Sequence, residues 1–436
     1  MFIMYKNISA TILFIFITII FIFQSAKTYG QALPQKCATE MYMQQLYAKN
    51  PQLKKSLIDA ENNETNIQRT QAIITIPVVV HVLHRGEPIG TNTHITPQQI
   101  ESQITILNND FRAQNDDITN VPIVFQSKIG DTKIQFCLAT LDPDSNPTSG
   151  IVYKQTIQPY FSLDNNVKFD TSGGSNAWPA DKYLNIWVCD LRNFNGDNLL
   201  GFAQFPNGPA ETDGIVVRYE AFGNVGNVSL PYNKGRTATH EVGHWLNLIH
   251  IWGDNVCGND LVSDTPTQEQ ANFGNVVNGA YLCPGFPHVT CNNGPDGDMY
   301  MNYMDYTFDK CMHMFTKGQS NRMNKAIVDY RASFLTTKDL CVPPNISPDT
   351  NVVNFELVSN NTLLNSINIL VIGNLSTDVE VAVYNTLGQS VLSATYAKSE
   401  TATAMKIDLP NLKTGFYYIS IFANSKQSKL KFYKLQ

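Results

Sequence analysis

Charge is scarce in this 436-residue chain: Asp, Glu, Lys and Arg make up 16% of it, and the net charge is −6. No basic block breaks that balance, which argues against nucleic acid as a partner. Long apolar runs are scarcer still. One exists, "ILFIFITIIFIF" at 12–23, behind Lys6 and ahead of the small and polar residues leading to "TYG" at 28–30. It is short for a membrane span, so residues 1–30 read as an export signal and membrane contact is expected only during export. An uncleaved N-terminal anchor is the other reading. Beyond Cys341 there is no Arg, His, Cys or Trp at all, which marks a boundary in the chain.

The length calls for two or three units, one with a large core. A polar preface of short helical or irregular structure is expected over 31–68. "QAIITIPVVVHVLH" (71–84) is a dense β-branched run and reads as a buried strand. A helix should follow, with Thr96 as N-cap, Pro97 at the first helical position and Gln99 completing a capping box. Ile100, Ile104, Leu107 and Phe111 give it one apolar face. Further strands are expected in "KIQFCLATL", "YLNIWVCDL" and "DGIVVRYEAF", and a last helix near Thr316, buried through Met323, Ile327, Tyr330 and Phe334. Strands mixed with amphipathic helices imply an α/β or α+β unit. A Pro-rich linker spans 343–351. After it Val379, Val381 and Val383 alternate and "NTLG" (385–388) turns the chain, the pattern of a small all-β sandwich over 352–436.

The chemistry concentrates in "TATHEVGHWLNLIHIWGD" (237–254). It lacks Pro, so His240 and His244 stand one helical turn apart on one face, where two imidazoles can share a tetrahedral Zn²⁺. Glu241 neighbours the first ligand and can act as general base toward a water at the metal without being a ligand. A third ligand, His250, lies six residues past His244, or 600° around a continuing helix, on the wrong side. The helix must therefore stop and the chain turn back. That needs a residue tolerant of positive φ, usually Gly and less often Asn; Asn247 is that residue.

These residues carry a resemblance. "HEVGHWLNLIH" resembles the metzincin pattern H-E-x-x-H-x-x-G-x-x-H, with Asn247 at the Gly position. "MNYMDYTFDKCM" is similar to the metzincin Met-turn, with Met304 as its Met. "HIWGD", "VSDTP" and "NYMDY" resemble the pappalysin/cytophagalysin branch more narrowly, as do "YLNIWVCDL" and "LLGFAQFP". The resemblance implies an α+β metzincin catalytic domain at 69–342: a twisted mixed sheet, an active-site helix and a Met-turn, with substrate lying along the sheet edge. It implies a secreted zinc endopeptidase acting on proteins or peptides, with Tyr306 steadying the tetrahedral intermediate (or else a packed aromatic). It also implies a propeptide at 31–68 whose Cys37, in "QKCATE", binds zinc as a thiolate in the latent form; a disulfide is the competing fate for that thiol. Family likeness further implies preference for Arg or Lys after the scissile bond, self-cleavage at Gln68–Arg69, and Asp309 in the specificity pocket. A Ca²⁺ site is implied at Asp260, the Ser263 carbonyl and Thr265, with Asp264 beside them, where a solvated acidic loop is the plainer reading. The implied disulfides are Cys257–Cys291 and Cys283–Cys311; Cys137 and Cys189 are expected as free core thiols, and Cys341 is unplaced. The C-terminal "VAVYNTLGQSVLSA" and "IDLPNLKTGFYYISI" resemble the sorting domain of type IX secretion. That implies export through the outer membrane of a Gram-negative bacterium by that machinery; a retained binding module is the competing reading. From another class, the rival is a non-catalytic adhesin stabilised by zinc.

Overall fold

The computed structural model describes residues 35–55 and 72–341 and, in the C-terminal part, most of 354–434. The export signal, the Gln68–Arg69 bond and the 343–351 linker lie outside the described residues.

The larger unit is built on a seven-stranded sheet in the order β1-β6-β7-β5-β2-β3, with β4 also paired to β2. Its strands are β1 (Gln35–Cys37), β2 (Ile74–His84), β3 (Ile134–Leu138), β4 (Ile151–Gln155), β5 (Leu184–Cys189), β6 (Leu199–Ala203) and β7 (Ile215–Arg218). β2 is the axis. Its first half pairs with β3 and its second half with β4 on one side, while β5 runs along the other, all parallel. Buried on both faces, it needs the dense β-branched sequence it has. β6 runs antiparallel to β7, and β1, parallel to β6, shares its direction. The free edge of β6 is taken by β1 in parallel register, Gln35 opposite Leu199 and Cys37 opposite Gly201. The preface, expected to be short helical or irregular, carries the expected helix, α1 (Thr39–Lys49), with the strand β1 just before it.

Helices α2 (Pro97–Phe111) and α3 (Arg236–Trp245) pack beneath the sheet. Ile100, Ile104, Leu107 and Phe111 all enter the main core with Val78, Val80, Ile186, Val242 and Met304. The Thr96 side chain accepts from the Gln99 N–H, but Gln99 does not return the bond. Its amide donates to the carbonyls of Tyr219 and Phe222 and accepts from the Asn227 N–H, pinning a loop instead of closing a capping box. Helix α4 (Lys317–Tyr330) opens with a full capping box between Thr316 and Gln319. Met323 and Ile327 are buried in it; Tyr330 is half-buried, and Phe334 belongs to the turn beyond.

Three disulfides tie the loops: Cys257–Cys291, Cys283–Cys311 and Cys137–Cys341. The last corrects the reading of Cys137 as a free thiol. The Cys137 side chain leaves β3 at the sheet margin, half-buried, and meets the terminal turn of the domain. Cys189 is a free, buried thiol. The C-terminal region forms a three-stranded and a five-stranded sheet around one apolar core that includes Val379, Val381, Val383, Ile419 and Ile421.

Candidate functional site

The site grows from the end of α3. The helix stops at Trp245, and Asn247 takes φ 72°. The Leu248 N–H reaches back to the Gly243 carbonyl (2.9 Å) and the Asn247 N–H to the His244 carbonyl (2.8 Å). That pair of bonds is the Schellman arrangement of a helix ended by a left-handed residue. The Nε2 of His244 comes within 3.0 Å of the His240 Nε2 and 3.2 Å of the His250 Nε2.

Each of the three rings is held from behind. Nδ1 of His240 donates to the Tyr303 carbonyl (2.7 Å), Nδ1 of His244 to the Leu248 carbonyl (2.7 Å) and Nδ1 of His250 to Asp254 Oδ1 (2.5 Å). These partners are acceptors, so the proton sits on Nδ1 and each Nε2 presents a lone pair. Three lone pairs converging in a buried space repel one another unless a cation lies between them. Cys37 completes the set: its sulfur and the three nitrogens all lie within 4.8 Å of one another, all four residues buried. Three imidazoles and a sulfur suit zinc, and ring orientation by acceptors behind the ligands is the usual support of such a site. Burial holds the His240 and His244 rings well below the ordinary imidazole range and pushes the Cys37 thiol up, with Glu241 adding to the latter. A divalent cation supplies the opposite field and favours the thiolate.

Glu241 is fully buried, and burial lifts its carboxyl to about 8. Its Oε2 accepts from the Thr39 hydroxyl (2.9 Å) and stands 3.6 Å from the Cys37 sulfur; its Oε1 has no partner. Room for it exists because β6 carries Gly201, where a Cβ would come within 2.8 Å of Glu241 Cγ. Below the helix, the Met304 sulfur fills the space a side chain at Gly243 would need, at 2.6 Å from a Cβ there. Tyr306 Oη lies 3.0 Å from the His250 Nε2, with its ring against Trp252 (4.8 Å between centroids).

The residue before Cys37 fills a second buried space. The Lys36 ammonium donates to the Thr307 carbonyl (2.8 Å) and lies over the Tyr232 ring (5.2 Å). Burial lowers its pKa, and Asp309 opposes that as the largest raising charge. Asp309 is itself fully buried; its Oδ2 accepts from the N–H groups of Lys234 (2.8 Å) and Arg236 (3.2 Å), and its Oδ1 has no partner.

The calcium candidates lie elsewhere, and their carboxylates are already bonded within the protein. Asp260 accepts from the Thr265 hydroxyl (2.8 and 2.9 Å) and the Val262 N–H. Asp264 accepts from the Thr316 hydroxyl and the Gly318 N–H at the start of α4. No contact links the Ser263 carbonyl to them, and the Cys37–histidine set is the one metal-like cluster among the described residues. Sequence reasoning missed Thr39, Lys36 and Asp254. Asp254 had a signal, standing four residues after His250; Lys36 and Thr39 flank Cys37, and only pairing of β1 with β6 gives them a role.

A family model described as pregnancy-associated plasma protein-A, a peptidase family, matches residues 169–328, and one for a secretion system C-terminal sorting domain matches 348–434. An extracellular metalloprotease of Arthroderma otae is 32% identical over 269 residues, 59% of this chain and 80% of that protein. Mature mirolysin of Tannerella forsythia, solved with a cleaved peptide, is 45% identical; the match covers 63% of this chain and all of that one, with a TM-score of 0.58. A promirolysin mutant is 42% identical over 70% of this chain and 98% of that one, with a TM-score of 0.62.

Proposed function

The chain belongs to the pappalysin family of metallopeptidases; it is a secreted zinc metalloendopeptidase with a type IX sorting domain, and from that premise we propose how its residues work. His240, His244 and His250 hold the zinc, and residues 31–68 are the propeptide of a latent precursor in which Cys37 is the fourth ligand. When bound, zinc supplies a Lewis acid that polarises a carbonyl and acidifies water. Glu241 takes the proton from the attacking water and hands it to the leaving amine. The observation that carries this is the convergence of three proton-free Nε2 atoms beside a buried, half-unpartnered carboxylate. Tyr306, once Cys37 has left, points its hydroxyl at the oxygen that becomes negative. β6, freed of β1, offers its edge to the substrate backbone. These roles also argue against the adhesin reading, since a structural site has no use for Glu241.

The preference for Arg or Lys after the scissile bond rests on Lys36. A basic side chain adjoining the zinc-facing residue already fills the pocket over Asp309, yet makes no ion pair with it. The unpartnered Asp309 Oδ1 is left for a longer, forked guanidinium, so Arg is preferred to Lys. A peptide-library digest with cuts spread over neutral residues would remove this part. Self-cleavage at Gln68–Arg69 follows from the same preference, checked by N-terminal sequencing of the mature protein. Calcium belongs to the proposal as an ion that takes Asp260 from Thr265; a calcium titration leaving the melting temperature unchanged refutes it.

The test of the whole is Glu241→Ala. Casein cleavage should vanish while metal analysis still finds one zinc per chain. Turnover that survives the substitution overturns the mechanism. The sorting role is checked by intact mass: secreted protein ending between 342 and 352 supports removal of the domain, and a full-length product supports a retained module.

A further inference from the structure

Tyr42 of α1 is driven into the outer face of the sheet, away from the histidines, and is 1% exposed. Its ring packs on Phe202 with centroids 4.8 Å apart. Its hydroxyl donates to Asn165 Oδ1 (2.9 Å), lies 3.3 Å from Gln204 Oε1, and accepts from the Lys168 ammonium (3.2 Å).

The walls of this nest do not depend on Tyr42. Lys168 donates to the Thr212 carbonyl (2.7 Å) and lies over the rings of Trp187 (5.3 Å) and Phe202 (5.1 Å). Gln204 donates to the Pro209 carbonyl (2.8 Å) and accepts from the Thr212 hydroxyl (2.6 Å). Trp187 Nε1 donates to the Ser175 carbonyl (2.8 Å). All these groups sit on β5, β6 or the loops around them and remain when the segment carrying Tyr42 departs. What then opens is a preformed pocket: an aromatic floor, an ammonium, and amide oxygens that accept. Among the described residues Lys168 has no ion pair; Asp213, the acid that acts on it, has both oxygens on Arg331 (2.7 and 2.9 Å).

We infer that this Lys168 pocket is a peptide-binding exosite, filled by Tyr42 in the precursor and open in the processed enzyme, whose ligand is a tyrosine side chain. The chemistry selects that ligand. A carboxylate would satisfy Lys168 but face the lone pair of Asn165 Oδ1 with nothing to donate. A Phe ring would fit the floor and leave both Lys168 and Asn165 without their bond. Only a phenol brings a flat apolar ring, one donor and one acceptor at its tip. In the precursor the pocket is a second anchor, independent of the thiol. In the processed enzyme it draws in substrates or inhibitors with an accessible Tyr.

The inference rests on residues 31–68 being a removable propeptide, as proposed above; the exosite itself is read by binding and not by turnover. The probe is a fluorescent peptide of residues 35–55 carrying Cys37→Ala, so that no thiol can reach zinc. Its anisotropy is titrated with enzyme processed from the full-length precursor. Binding should persist, weaken about 10- to 100-fold with Tyr42→Phe, since a hydrogen bond to a charged group is worth about 1.5–3 kcal/mol, and fall further with Tyr42→Ala. On the enzyme side Lys168→Met should give a similar loss and make the peptide indifferent to Tyr42→Phe. Equal binding of the probe with and without Tyr42→Phe to the unaltered enzyme overturns the inference, and because that comparison changes the peptide alone, a folding defect of Lys168→Met cannot mask it. Failure of the processed protein to cut casein, with the binding pattern intact, would count against the catalytic reading and leave the exosite standing.

Discussion

Asn247 can be separated from its neighbours by two substitutions that differ in one methyl group. At φ 72° any Cβ meets the following carbonyl, a cost of about 1–2 kcal/mol that the short polar side chain of asparagine offsets and an alanine methyl does not, whereas glycine has no Cβ to clash. The backbone bonds of the reversal, including the Arg322 Nε donation to the Asn247 carbonyl (2.7 Å), need no side chain at 247 and are open to both variants. For a domain of this size each kcal/mol lowers the melting temperature by roughly 2–4 °C. Asn247→Ala should therefore melt roughly 2–8 °C below the parent and Asn247→Gly close to it. The function should follow the same order. The Leu248 carbonyl that orients His244 and the turn that delivers His250 both lie just past this residue. A relaxed backbone at 247 loosens two of three ligands together. Scanning calorimetry of the precursor and zinc content after dialysis against a graded chelator read the two effects separately. Asn247→Gly as damaging as Asn247→Ala would mean that the asparagine side chain, and not the left-handed backbone, does the work. Asn247→Ala with parental melting and zinc retention would refute the strain argument altogether.

Three further outcomes are expected. Asp309→Asn removes the charge beneath the pocket that Lys36 fills, so kcat/KM for cleavage before Arg should fall by about 10²-fold, the worth of one buried charged pair, while cleavage before a small apolar residue changes little; loss on both substrates alike would make Asp309 structural. His81 is buried against Trp187, bonded to Ser175 Oγ (2.9 Å) and Asn185 Oδ1 (3.1 Å), and burial lowers its pKa from 6.5 to about 4. The folded ring stays neutral while the unfolded one takes up its proton near 6.5, so stability is full above 6.5 and falls by about 3 kcal/mol as pH drops to about 4; denaturant midpoints of His81→Gln should lose that acid slope, and an unchanged slope would assign it to other groups. Stripping the metal from the processed enzyme leaves three Nε2 lone pairs facing one another, so the melting temperature should drop along with activity and both should return with one equivalent of zinc; unaltered melting would place the ion elsewhere.

What the sequence made legible was what local pattern controls. The period of Ile100, Ile104, Leu107 and Phe111 set the face of α2, and the spacing of His240, Asn247 and His250 required a reversal that the backbone supplies. Cys137 escaped because a half-buried position in a short strand looks like a core thiol until the partner arrives from 204 residues away. Gln99 departs from expectation for a related reason: its spacing from Thr96 satisfies the capping rule, but the fold brings the Tyr219–Asn227 loop within its reach and the loop wins. The three-residue segment before α1 shows the limit most clearly. In "QKCATE" only the cysteine carries a recognisable chemistry, yet pairing with β6 gives each neighbour a partner: Lys36 the carbonyl of Thr307, Thr39 the carboxylate of Glu241. Lys36 and Cys37 are successive in β1 and so leave it on opposite sides, and Thr39 opens α1 directly behind them, so the pairing of β1 with β6 places all three at once. A latency segment of this kind is therefore read as a register, not as a motif. Deleting Ala38, the residue between β1 and α1, would move Thr39 off Glu241 while leaving Cys37 in place. The precursor should then hold its zinc yet process itself faster than the parent, and unchanged processing would show that the thiol alone keeps it silent.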